Sequence, residues 1–484
     1  MRIILVSIFY FFFSSVCAKT DFTPRLAQSY TYLFKLKFDS AQILINKSLM
    51  LEPDNQVNTL MYCYVEFIRI LLSEDFLIYA QWQNKFELRV NSIRKMAEAS
   101  PYRRYILGEV YIQSSILKFK FGDQIGALVD FRKGYGYLAD NEKQFPTFVY
   151  HKKSLGFIHI LLSLIPNKYK WLINIAGFDT DLQKGTRQLQ AAAESEIATK
   201  DEAYYLQIWL KVIFEDKEDE CINAMRAFIG LHPDYVVAKW SLVMFLKSTN
   251  RVDEALLISN QIKPKSGFYY SPYFYFINGQ MHLLVGEFEK CNAEMTHFLA
   301  SYKGKMLRQS AFYCKYLADY SISKVENLNL YRDSVLLTPI SGSEQDRIAQ
   351  NSIRDNPKPT IEILKAKLYF DAGRYESCLF ELDKIKAENI SKTIEKVEYY
   401  YRKGRGFEKM NDKPQALLFY QLAIDVQKKQ PYYFAPNAYL LMAKMLQNND
   451  KVLAKSYLKE IDSYDKYEYQ TEIEYQAKAL LKKL

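Results

Sequence analysis

Hydrophobic positions in this chain recur every three or four residues over long stretches, and strand-like alternation bounded by turn dipeptides is scarce. One window shows the repeating element. Between Tyr399 and Lys428 the pattern predicts a helix, a tight polar turn and a second helix, with Gly404, Phe407, Ala416, Tyr420 and Ala423 on the facing sides. A small residue early in the second helix lets two helices cross closely, and bulky aromatics fill the wider spaces above and below it. Such a pair cannot bury its apolar face alone, so its recurrence predicts a stacked array.

The pattern does recur. Tyr32, Phe38, Ala41, Ile45 and Pro53 form one window; Gly122, Ala127 and Phe131 form a looser one; Trp209, Cys221, Met225 and Pro233 form a third. Leu246 with Ala255, Gly279 with Gly286, Phe288 and Cys291, and Tyr369 with Gly373, Tyr375 and Cys378 follow, and Ala454 anchors the last. From Cys221 to Ala255 and from Cys378 to Ala416 the spacing is near the ~34 residues of a tetratricopeptide repeat, and it departs from that elsewhere. The expected fold is all-α: a tetratricopeptide-type α-α superhelix, a right-handed solenoid of helical hairpins with irregular repeats. Met61 to Pro101 reads as two longer helices. Thr338 to Thr360 is polar and holds Pro339, Gly342, Pro357 and Pro359, so it reads as a loop. The expected organisation is a helical array over 19–337, a polar loop over 338–360 and further repeats over 361–484.

Residues 1–18 form a separate element. Arg2 supplies a positive start, Ile3 to Phe13 is a short apolar run, and Val16-Cys17-Ala18 suits signal-peptidase cleavage after Ala18. An exported chain, periplasmic or secreted, is the expectation. Lipidation of Cys17, as in an outer-membrane lipoprotein, is less favoured because Val16 stands where a lipobox carries Gly, Ala or Ser. The later apolar runs, Leu60 to Leu72 and Leu155 to Ile165, are short or charged, so no transmembrane helix is expected in the mature chain. Peripheral association with an outer membrane remains compatible with that reading.

Composition narrows the chemistry. With 49% hydrophobic and 25% charged residues over 484 positions, the chain reads as globular. Its net charge of +10 comes from 65 Lys and Arg interspersed with 55 Asp and Glu, which describes a solvated surface and argues against nucleic-acid binding. Of the mature cysteines, Cys63, Cys221, Cys291, Cys314 and Cys378, three fall at small-residue anchors and so read as core hydrophobes, without need of a disulfide. His151, His159, His232, His282 and His297 lack metal-ligand spacing, and no cofactor or metal is expected. Nucleophile-elbow, phosphate-loop and dinucleotide motifs are missing from the sequence, and Gly404-Arg405-Gly406 lies mid-helix. A non-enzyme is therefore expected. The unusual quantity is 39 Tyr and 31 Phe against 4 Trp. Consecutive helical aromatics cannot all face one core, which makes Tyr269, Tyr270, Tyr273 and Tyr275 candidates for a peptide- or glycan-contacting groove.

The segment Ile173 to Leu189 reads as a helix junction, with Gly177 ending one helix and a capping box of Thr180 and Gln183 starting the next. Its Gly177, Phe178, Asp181, Gly185 and Leu189 resemble the junction of the tetratricopeptide repeat protein 39 and Iml2 outer-membrane-protein-like family. The likeness extends through the repeats to about Ile322. What it implies is a non-enzymatic helical scaffold associated with membranes or protein clearance. Taken together, the expected function is an exported tetratricopeptide scaffold that binds a protein or peptide partner in the cell envelope. A glycan-binding outer-membrane component of SusD type is the alternative, and an all-helical enzyme comes third.

Overall fold

The computed structural model describes residues 20–165, 178, 181–215, 217–262, 264, 267–338 and 342–484, with the side chains of 213–215 excepted. The expected leader over 1–18, Gly177, Thr180 and Pro339 lie outside the described residues. Within them the chain is all-α, 24 helices with no strand.

Two compact units divide the chain. One runs to Lys239 and includes Pro264–Tyr270; the other comprises Trp240–Lys263 and Ser271–Leu484. The first unit is a run of antiparallel hairpins: α1 (Pro24–Phe34) with α2 (Phe38–Leu51), α3 (Val57–Ser73) with α4 (Phe76–Arg94), α5 (Pro101–Lys120) with α6 (Gln124–Gln144), α7 (Tyr150–Ser163) with α8 (Leu182–Ala193), and α9 (Lys200–Glu215) with α10 (Glu218–Leu231). Helix α11 (Val236–Ser248) starts in the first unit and passes at Trp240 into the second, which also holds α12 (Val252–Ser259). The second unit continues with α13 (Pro272–Leu284) and α14 (Phe288–Ser301), α15 (Arg308–Ser321) and α16 (Leu328–Leu337), α17 (Glu344–Asp355), α18 (Ile361–Ala372) and α19 (Tyr375–Asp383), α20 (Thr393–Lys409) and α21 (Lys413–Gln427), α22 (Phe434–Leu446) and α23 (Lys451–Glu460), and a final α24 (Gln470–Lys483).

The anchors explain the hairpins. Ala41, Cys221, Ala255, Cys291, Cys378, Ala416 and Ala454 are each the fourth residue of a second helix, and all seven are fully buried. Each closes the first turn, donating its backbone N–H to the carbonyl four residues back at 2.9–3.1 Å. At the fourth position the second helix has just left the turn and lies nearest its partner, so only a small side chain fits. Glycine does the same job elsewhere. A Cβ on Gly156 would lie 2.8 Å from the Gly185 carbonyl, and one on Gly404 would lie 2.6 Å from the Tyr420 ring. All five described cysteines are buried, and burial pushes the thiols of Cys63, Cys314 and Cys378 up to about 12. They pack as small core residues.

Two expectations need correction. Helix α8 starts at Leu182, where the Asp181 carboxylate accepts from the Lys184 N–H at 2.9 Å, in place of a capping box led by Thr180. The stretch 338–360, expected as a loop, carries helix α17 and lies inside the second unit. Its prolines and Gly342 fall outside 343–356, and within that span Asp346, Ala349, Gln350 and Ile353 are buried at helical spacing. Gln350 donates to the carbonyls of Val335 at 3.0 Å and Thr338 at 3.1 Å, while the Asp346 carboxylate receives the N–H groups of Leu307 and Ser310, both at 2.8 Å. Those bonds satisfy the C-terminal end of α16 and the N-terminal end of α15.

Ala416→Leu is expected to lower stability by about 1–3 kcal/mol through overpacking, read as a fall in the urea midpoint. An unchanged midpoint would deny Ala416 its place at the helix crossing.

Candidate functional site

In each hairpin the second helix is held by the anchor, which leaves the far face of the first helix to meet other first helices. The two units use that face differently.

In the first unit its centre is filled, and a cleft of about 400 Å³ remains between α1 and the start of α9, lined by Thr31, Lys35, Lys200 and Asp201. Tyr30 of α1, Tyr64 of α3, Glu109 of α5, Lys153 and Ser154 of α7 and Glu202 of α9 meet in one buried polar knot. Lys153 donates to Glu202 Oε2 at 2.7 Å and to the Tyr64 hydroxyl at 2.8 Å, and its Nζ lies 3.4 Å from Glu109 Oε2. The hydroxyls of Tyr64 and Ser154 donate to Glu109, and that of Tyr30 to Glu202. Burial works to discharge Lys153, but the carboxylates of Glu109 and Glu202 outweigh it and hold the ammonium above its ordinary range. Burial likewise pushes the phenols of Tyr30, Tyr64 and Tyr105 well up, keeping them neutral. Rings close the surroundings: Phe22 stacks on Tyr150 at 5.0 Å and Tyr30 meets Tyr64 edge-on at 5.3 Å. Lys153 is 2% exposed and Glu109 5%, so the centre of the knot is buried, while the Glu202 side chain, 25% exposed, reaches its edge.

In the second unit the face is open. A groove of about 530 Å³ is lined by first-helix residues of α15, α18, α20 and α22, by one side of α17 and by Glu468 and Tyr469 before α24. On its α20 wall Arg402 is buried, with Nε and Nη2 on Glu398 Oε1 at 2.7 and 2.6 Å, and it stays charged because Glu398 opposes the effect of burial. Glu395 accepts from Thr360 at 2.6 Å, Asn356 at 2.9 Å and Lys392 at 3.0 Å. Burial alone would raise its carboxyl; these donors bring it below its ordinary value. Burial pushes the phenol of Tyr433 up, and its ring meets Tyr469 edge-on at 5.4 Å. Unpaired surface is mixed with this polarity, since Ile348 is 45% exposed at the rim. A wider cleft of about 800 Å³ in the first unit is walled by turns and helix ends such as Pro53, Asp54, Ala97 and Ser100, and has none of that charged and aromatic concentration.

The expected tyrosines fall in both units. Tyr269 and Tyr270 belong to the first unit, where Tyr269 donates its N–H to the Leu36 carbonyl at 2.9 Å and packs on Phe38. Tyr273 and Tyr275 belong to the second, against Tyr302 and His297 respectively. All four are half-buried. Of the junction residues, Phe178 packs edge-on against Phe131 and Tyr135, Asp181 caps α8, Gly185 meets Gly156, and Leu189 is buried. They are packing residues. Sequence reasoning missed both the knot and the groove. The one available signal for the knot was a charge inside an apolar helix, as with Lys153 ahead of Leu155 to Leu162.

No protein-family model matches the chain, and no curated protein matches it. Among solved structures it is similar to the APC/C hetero-tetramer Cut9–Hcn1, at 11% identity over 94% of each chain with a TM-score of 0.31. It is also similar to the P58(IPK) TPR domain, at 12% identity over 95% of this chain and 98% of that one, with a TM-score of 0.21.

Lys153→Met leaves the buried Glu109 carboxylate without its cation and is expected to cost about 3–5 kcal/mol of stability. A urea titration losing under about 1 kcal/mol would place Lys153 in solvent.

Proposed function

We propose that the chain is a protein-binding scaffold that holds a segment of its partner in the first-helix groove of the second unit. The observation that carries this is the contrast within one fold: the first-helix face is packed solid around Lys153 in one unit and left as a 530 Å³ groove in the other. Packing solid is what the hydrophobic effect favours by default, so an open face lined by half-buried tyrosine, aliphatic and ionic side chains is a surface suited to a ligand. The groove's aromatic lining is tyrosine and phenylalanine, which suits peptide contacts better than the tryptophan platforms sugar binders favour. Among the described residues no group of His, Cys, Asp and Glu is arranged to hold a metal, and no helix is long and apolar enough to cross a membrane.

The finer parts of the reading come from sequence. The likeness of Phe178, Asp181, Gly185 and Leu189 to the tetratricopeptide repeat protein 39 and Iml2 family supports a scaffold role. The apolar run Ile3 to Phe13 before Ala18 supports export, and with it a partner in the cell envelope and peripheral membrane association.

A random nonapeptide library displayed on phage tests the groove. Selection on the full chain is expected to yield peptides binding at roughly micromolar Kd, about −8 kcal/mol, that lose at least about tenfold on Asn351→Trp, a substitution into the groove wall. Unchanged helicity by circular dichroism shows that the variant folds; equal binding to both proteins, or no enrichment, overturns the reading. Export is tested by mass spectrometry of the protein recovered outside the cytoplasm. An N-terminus at Lys19 is expected, and an acylated Cys17 or a retained leader would overturn cleavage after Ala18.

A further inference from the structure

The groove is an acidic exception on a basic protein. Glu344, Asp355, Glu395, Glu398 and Glu468 bring five carboxylates to it against the three cations Arg347, Lys367 and Arg402. That is 3 − 5 = −2 for the groove, while the chain as a whole stands at 65 − 55 = +10, so everything outside the groove sums to +12. A field of that shape draws cations to one place.

The charges inside the groove fall into two kinds. Arg402 is buried on Glu398, and Glu395 is held by Thr360, Asn356 and Lys392. Both belong to the framework. At the mouth the situation differs. Arg347, its side chain 53% exposed, forks onto Glu344, with Nε to Oε2 at 3.0 Å, and the Glu344 side chain is 65% exposed. Glu468 and Tyr469 lie within electrostatic reach of the same guanidinium. Tyr469 is 58% exposed, and its phenol is in reach of Glu344 and Glu468. Its backbone sits at φ 61°, a left-handed conformation that a bulky residue rarely adopts, and Tyr433 braces its ring from below at 85°. Arg347, Glu344, Glu468 and Tyr469 line this one mouth, and the protein's own Arg347 is the cation paired there, on Glu344.

We infer that the groove mouth takes a lysine or arginine side chain of the bound segment, seated against the Tyr469 ring and paired with Glu344 and Glu468, in the place Arg347 holds when no segment is bound. The inference rests on the peptide reading of the groove and adds the charge of its ligand. Exchange is feasible because an exposed ion pair contributes little and is easily traded for another. A side chain seated over the Tyr469 face adds a cation–π contact to the ion pair it replaces. The remainder of the segment lies along α17, where Ile348 offers apolar contact and Asn351 an amide.

The same phage selection, run on the full chain, reads the inference directly. Enriched nonapeptides are expected to carry a Lys or Arg, and replacing that residue by Gln in the synthetic, fluorescein-labelled peptide should weaken binding about tenfold in fluorescence polarisation. Glu344→Gln, Glu468→Gln and Tyr469→Ala should each weaken it about threefold, whereas Glu376→Gln on exposed α19 should leave it unchanged. Binding should also fall as salt rises. Enrichment of neutral or acidic peptides that still lose affinity on Asn351→Trp overturns the basic-side-chain inference and leaves the groove reading standing. Absence of any enrichment overturns both.

Discussion

Everything in this molecule depends on how closely two helices of a hairpin approach at the fourth residue of the second one. Ala41, Cys221, Ala255, Cys291, Cys378, Ala416 and Ala454 hold that position in seven hairpins, and each is fully buried. The constraint is steric at one point and orientational everywhere else. Once the second helix is pinned by a side chain no larger than a thiol, its crossing angle and the facing stripe of the first helix are fixed. The far stripe of every first helix then points toward the first helices of neighbouring hairpins. What occupies that shared face is the remaining choice, and the two units make it in opposite ways.

Closure in the first unit is ionic at its centre and aromatic around it. Lys153 gathers Glu109, Glu202 and Tyr64 from three other first helices, and the hydroxyls of Tyr30 and Ser154 complete the carboxylates. A buried charge tolerates few arrangements, so the knot selects one register among five helices. In the second unit helix α17 prevents the same closure. Asp346 fastens it to the start of α15, and Gln350 to the end of α16. Fixed at those helix ends, α17 forms a wall beside the first helices, and the groove is the space it bounds.

The hairpins were legible because their signal is local: a small residue, an aromatic about nine positions earlier, a turn between. The cysteines were legible for the same reason, since Cys221, Cys291 and Cys378 stand where alanine stands in other repeats. Helix α17 was hidden by its flanks, where Gly342, Pro357 and Pro359 announce a loop around twelve residues whose own spacing is helical. The tyrosine cluster spans the start of an element: Ser271 caps α13, with Tyr269 and Tyr270 before it in one unit and Tyr273 and Tyr275 after it in the other. The knot was beyond reach. Tyr30 and Glu202 are 172 residues apart, and nothing local says that a lone lysine in an apolar helix will find a glutamate there.

The same chemistry does opposite work in the two units because its charges are mostly covered in one and mostly exposed in the other. Around Lys153 the ammonium and the Glu109 carboxylate are buried and Glu202 is three-quarters covered, so removing the cation strands Glu109 in a medium that solvates it poorly. At the groove mouth Arg347 and Glu344 are more than half exposed, water screens their attraction, and either can change partner at little loss. Recognition needs pairs of the second kind. A site whose charges were as deeply committed as Lys153 would have to break its own structure to admit a ligand, whereas one whose charges are held loosely over a rigid frame of Arg402 and Glu398 can exchange them. Burial therefore separates the two functions of charge in this protein: where the pair is covered it sets the fold, and where it is exposed it leaves the fold free to bind.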